Sequence, residues 1–146
     1  MLLLDLALDF GTKAADPLAL ADRQVALWID GLDLWARTYS ALCGVRVKPV
    51  IQPERHDRRF KDEAWTEMAV FDFIKQSYLL SARWLLETMK GVEGIDAQHA
   101  RKVEFYTRQL IDALAPTNFA LTNPRVVKET LESGGENLVK GLANLL

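Results

Sequence analysis

The apolar residues Ala21, Val25, Trp28, Leu32, Trp35, Tyr39 and Leu42 follow one another at alternating steps of four and three. A helix turns that spacing onto a single stripe, and no other regular backbone does. The ends are marked as well. Asp16-Pro17 reads as an N-cap followed by proline at the first helical position, and Gly44 is placed to stop the helix. A helix of about 26 residues is roughly 39 Å long, which is long for one domain of 146 residues. Charged side chains, among them Asp22, Arg23, Asp30, Asp33 and Arg37, lie between the stripe positions and read as a solvated face. The stripe has two readings: it packs on the rest of its own domain, or part of it packs on another chain, as its three heptads allow. Val25, Trp28, Leu32, Trp35, Tyr39 and Leu42 are accordingly the candidate interaction surface.

Beyond Gly44 the helical period breaks. Val45 to Lys61 carries Pro49, Pro53 and the polar run Glu54-Arg55-His56-Asp57-Arg58-Arg59, an extended, internally paired linker. Asp62 is placed to cap the next helix. The apolar spacing then runs from Trp65 to Lys90 on more than one face, with room for a break near Met68, and Gly91 and Gly94 end it. Asp96 caps a third helix, Ala97 to Leu114, whose inner face is expected at Val103, Tyr106, Leu110 and Leu114. Pro116 ends that helix. Asn123-Pro124 opens another, with Val126, Val127 and Leu131 inside. Gly134-Gly135 interrupts it before a last helix bearing Leu138, Leu142 and Leu145 on one side. No strand pattern survives Pro49 and Pro53. The fold class is all-α, about five helices with a long amphipathic first helix and an extended linker. The expected divisions are 1–44, 45–61 and 62–146.

Apolar residues make up 49% and charged residues 26%, the balance of a globular chain rather than a disordered one. A net charge of −2 argues against a general nucleic-acid binder. No run approaches the ~18 uninterrupted apolar residues of a transmembrane segment. The opening Met1–Phe10 has two acids and no leading base; it reads as a short amphipathic arm, not a secretory signal. A single cysteine excludes an intrachain disulfide and fits a reducing compartment. Cys43, at the negative end of the first helix with no histidine near in sequence, reads as a buried or half-buried structural residue. His56 and His99 lack the partners of a triad. Phosphate-loop and dinucleotide motifs are missing, and Gly91-Val92-Glu93-Gly94 has neither their spacing nor a preceding strand. No cofactor and no metal is implied. The aromatic residues at helical spacing, including Trp65, Trp84, Phe71, Phe73, Tyr78, Phe105, Tyr106 and Phe119, read first as core.

Four blocks resemble a known family. They are Asp57-Arg58-Arg59-Phe60-Lys61-Asp62-Glu63-Ala64-Trp65, the run Phe71 to Leu80, the run Ala113 to Pro124, and Glu132-Ser133-Gly134-Gly135-Glu136-Asn137-Leu138. In order and spacing they are similar to the N-terminal region of class I polyhydroxyalkanoate synthases, acyltransferases that polymerise (R)-3-hydroxyacyl-CoA; residues 1–56 match only loosely. The resemblance implies that catalysis belongs to a later α/β-hydrolase domain with a Cys nucleophile, an Asp and a His, none of which lies within these residues; Cys43 matches none of them. This chain alone is then no enzyme. It is a helical domain that supports dimerisation, activity and association with the polyester granule or a granule-associated protein. Its partners would be the catalytic domain of the same synthase and a second copy, in the cytoplasm at the granule. Asn118, Phe119, Asn123 and Pro124 are expected to build a turn, and Gly134 and Gly135 a helix stop. The alternative is a free-standing helical adaptor or granule-associated protein using the same stripe. A third reading, a small enzyme, has only Cys43, His56 and His99 to work with.

Overall fold

The computed structural model describes residues 16–90 and 96–145. The arm at Met1–Phe10 and the glycines Gly91 and Gly94 lie outside them. The described residues form six α-helices, one 3₁₀ turn and no strand: α1 (Pro17–Leu42), α2 (Ala64–Glu67), α3 (Ala69–Lys90), α4 (Ala97–Ala113), the 3₁₀ turn Pro116–Asn118, α5 (Pro124–Glu132) and α6 (Glu136–Leu145). The all-α expectation holds, and the break at Met68 separates the short α2 from α3. None of these helices is long and apolar enough to cross a membrane.

The helix ends follow from local chemistry. The Asp16 carboxylate accepts the Leu18 N–H, Asp96 accepts those of Gln98 and His99, and Asn123 accepts that of Arg125, so orphan donors of three first turns are satisfied. The Asp62 carboxylate accepts the Ala64 N–H at 3.0 Å, although Glu63 stands at the cap position. At the end of α1, Gly44 takes φ +83°, its N–H donates to the Ala41 carbonyl, and that of Val45 donates to Ser40. This pair of bonds is a Schellman stop, which needs the left-handed conformation glycine reaches most easily.

The core is small. Phe60, Trp65 and Phe71 pack edge to face, with Ile74, Tyr78, Leu79 and Val127 against them. The organising element is α3, which contacts α1, α2, α4 and the 3₁₀ turn. It carries a buried polar row. The Asp72 carboxylate accepts from the Lys75 ammonium (2.7 Å) with one oxygen and from the Gln76 amide (2.6 Å) with the other. Lys75 Nζ also donates to the Trp65 carbonyl at 2.8 Å. Gln76 Oε1 accepts the backbone N–H groups of Val50 (2.7 Å) and Ile51 (3.2 Å). The extended segment after α1 is therefore held across α3.

Two expected faces are corrected. Helix α4 buries Val103, Thr107 and Ile111, while Tyr106, Leu110 and Leu114 stay exposed. The rotation follows from its contact with α3, where the Tyr78 hydroxyl donates to the Ile111 carbonyl at 2.9 Å. In α5, Val127 packs on the core and Leu131 is exposed. In α6, Leu138 and Leu142 are exposed, because this helix meets chiefly α5. Trp28, Trp35, Phe105, Tyr106 and Phe119 are exposed rather than core, whereas Trp65 and Phe71 are buried.

Two outcomes follow. Replacing Gln76 with Leu strands the Val50 and Ile51 N–H groups, and a part-buried unmade hydrogen bond of this kind should lower stability by about 2 kcal/mol. Urea titration should show a lower midpoint, and an unchanged midpoint would contradict the role given to Gln76. At the start of α4, the backbone N–H of His99, then its side chain, hold the Asp96 carboxyl down to about 2. A depressed carboxylate gives its full contribution above the unfolded value of about 3.9 and loses it as pH falls through the folded value. The amide resonances of Gln98 and His99 should therefore titrate with a midpoint near 2; a midpoint near 4 would refute the cap.

Candidate interaction surface

The first helix uses little of itself to join the body. Leu34 is buried, and Leu27 and Ala41, one heptad to either side, are half-buried on the same face. Trp35 meets Phe73 edge to face at 6.0 Å, and Arg83 of α3 reaches Asp30. Those two contacts fix α1 antiparallel to α3. Arg37 binds Asp33 at 2.9 Å and the Lys48 carbonyl at 2.8 Å, which ties the helix to the extended segment. The Arg37 bond holds the Asp33 carboxyl below its ordinary pKa, and Asp33 in turn stabilises the Arg37 cation.

The candidate surface points elsewhere. Val25, Trp28, Leu32, Trp35, Tyr39 and Leu42 each leave 56–68% of their area exposed. They alternate as two heptad series, Val25/Leu32/Tyr39 and Trp28/Trp35/Leu42. One flank of that seam is Gln24, Gly31 and Thr38, and the other is Ile29, Ala36 and Cys43. Between Gln24 and Cys43 neither flank carries a charge; Asp22 lies one heptad before Ile29, and Asp30, Asp33 and Arg37 lie off both flanks and make contacts within the chain. Beside the seam a shallow groove of about 310 Å³ opens between α1 and α3, lined mainly by Leu27, Trp28, Trp35, Phe73 and Leu80.

The polar clefts are lined by side chains that pair with one another. In the larger, about 690 Å³, Lys75 and Asp72 satisfy one another. In the other, about 570 Å³, Arg59 joins Asp57, Asp112 and the Tyr78 hydroxyl at 2.8–2.9 Å and lies over the Phe60 and Tyr78 rings. The Arg59 bond draws the Asp57 carboxyl below its ordinary value, and burial pushes the Tyr78 phenol up. Because Tyr78 already donates to Ile111 and both carboxylates hold one guanidinium, this cluster clasps the extended segment to α3 and α4. Cys43 is exposed at the end of α1, against the buried or half-buried expectation; the Schellman stop leaves it outside the α1–α3 contact. His56 pairs with Glu54 and His99 with Asp96. Among the described residues no group of three or more His, Cys, Asp or Glu is placed to hold a metal.

Sequence reasoning missed the Arg59 clasp and the Asp72–Lys75–Gln76 row. The run Glu54–Arg59 read as a solvated, internally paired segment, and Asp72, Lys75 and Gln76 entered only as part of a resemblance block. The same blocks supply the turn: Asn118 Nδ2 donates to the Asp112 and Ala113 carbonyls at the end of α4, and Asn123 Nδ2 to that of Thr117. Gly134 and Gly135 take φ +59° and +92° at the α5 stop.

Residues 56–146 match the family described as poly-beta-hydroxybutyrate polymerase (PhaC) N-terminus. The poly(3-hydroxyalkanoate) polymerase of Methylorubrum extorquens is 44% identical over 134 residues, 92% of this chain and 22% of that protein. The PhaC subunit of the Rhizobium meliloti (strain 1021) enzyme is 39% identical over 131 residues, covering 90% and 21%. That of Cupriavidus necator is 41% identical over 91 residues, covering 62% and 15%. The first two alignments run well into residues 1–56, where the sequence reading found only loose similarity. No solved structure matches. This chain spans about a fifth of the length of the first two of these relatives, and it belongs to the poly-beta-hydroxybutyrate polymerase (PhaC) N-terminus family.

Proposed function

We propose that the chain is the non-catalytic N-terminal domain of a polyhydroxyalkanoate synthase, and that α1 is its assembly surface. In this reading it supports dimerisation, activity and granule or partner association of an acyltransferase that polymerises (R)-3-hydroxyacyl-CoA, in the cytoplasm at the growing granule. The observation that carries it is the exposed, uncharged heptad seam of α1. With roughly 150–250 Å² per aromatic side chain, the six seam residues expose about 800 Å², close to one partner's share of a standard interface. A second copy of the helix meets the seam without a like charge opposing it.

A second reading is favoured by Ile29, which is exposed outside the two heptad series, and by Leu18, which extends the Val25 series toward the helix start. They enlarge the apolar face beyond what a helix pair covers and suit a helix lying along an apolar polymer surface, with Trp and Tyr at the boundary with water.

Light scattering and sedimentation across a concentration series test the first reading. The chain should pass from monomer to dimer. Trp28→Lys and Trp35→Lys should each weaken that equilibrium by about 30-fold, the scale of an interface hot spot; helix content should be unchanged in the Trp28 variant, whereas the Trp35 variant also loses its edge contact with Phe73. A monomer at every concentration would reject the pairing. Retention of the Trp variants on polyester particles would reject the second reading.

A further inference from the structure

The apolar side chains left open on α4 form a second surface with a different size and setting. Tyr106, Leu110 and Leu114 succeed one another at steps of four, and 48–58% of each is exposed. Phe105, also exposed, stacks edge to face on Tyr106 at 5.6 Å. α1 meets α3 along Phe73, Ser77 and Leu80, whereas α4 meets it through Tyr78. At 100° per residue the side chain of Tyr78 is turned well away from that row. α4 therefore packs on a different side of α3 from α1.

Size separates the two. The four exposed side chains of α4 offer about 400 Å², half of what each partner contributes to a stable bimolecular interface. Such a patch is too small to hold a free partner. It is large enough for a body on the same polypeptide, because a short tether raises the effective concentration to about millimolar, and contacts between domains of one chain are often modest in area. The relatives supply such a body, since residues like these make up only 21–22% of them. We infer that Phe105, Tyr106, Leu110 and Leu114 dock the remaining polypeptide of the synthase against α4, within one chain, while the α1 seam stays available between chains. This inference rests on the synthase reading above.

The test places a photo-cross-linking amino acid at position 110 of the full-length synthase that carries this domain and maps the products by mass spectrometry. Cross-links should join position 110 to peptides beyond residue 146 of the same chain, without a covalent dimer. Tyr106→Lys in the same background should lower their yield about tenfold, the effect of losing one anchor contact. Cross-links to a second copy or to residues 1–15 would overturn the inference, and so would their absence. A polymerisation assay with hydroxyacyl-CoA on the same preparation separates the two claims. An active enzyme without the cross-link refutes the docking alone; a polypeptide that never polymerises removes the synthase reading with it.

Discussion

Gln76 is 3% exposed on α3, the helix against which most of the others pack, yet it is an amide. Each of its polar atoms is used: Oε1 holds the backbone of Val50 and Ile51, and Nε2 binds Asp72, whose other oxygen binds Lys75. A buried polar row of this kind is costly when incomplete and specifying when complete. Here it determines where the chain runs after α1, and Lys75 anchors the carbonyl of Trp65, the most buried aromatic residue. The apolar core of Phe60, Trp65 and Phe71 is too small to impose that path alone.

With α3 in the middle, the helices on either side have work to do only on their inner faces. Leu34 is the one fully buried residue of α1, and Val103, Thr107 and Ile111 are those of α4. What remains outward on both is unusually apolar for a free surface, and contiguous apolar patches of this size mark contact sites. The first helix is tied to its neighbours by the Asp30–Arg83 ion pair and by Arg37, which donates to the Lys48 carbonyl, on the sides where the seam is not. Charge fastens the helix and leaves the aromatic stripe largely uncovered.

Much of the fold was legible because helix ends are local events. Asp16-Pro17, Asp96 and Asn123-Pro124 announce starts through their own side chains, and Gly44 and Gly134-Gly135 announce stops through a conformation other residues resist. The direction in which a helix faces was less legible. Periodicity locates an apolar stripe but not what lies opposite, so Tyr106 was expected inside where Thr107 is found. The stripe of α1 was legible as residues, but whether it packs inward depends on α3, whose contact selects the weaker face of Leu27, Leu34 and Ala41. The Gln76 and Arg59 contacts join residues 19 to 53 positions apart, and no local pattern encodes such pairs.

The central claim is that the seam of α1 is open to water in the lone domain and closed only by association. Tryptophan fluorescence on variants that keep Trp28 or Trp35 as the sole indole reads this directly. The account predicts long-wavelength emission, freely quenched by iodide, in dilute solution, and a shift to shorter wavelength with loss of quenching as protein or polyester surface is added. Short-wavelength, unquenched emission at every dilution would mean that the stripe is buried within its own domain, and would contradict it.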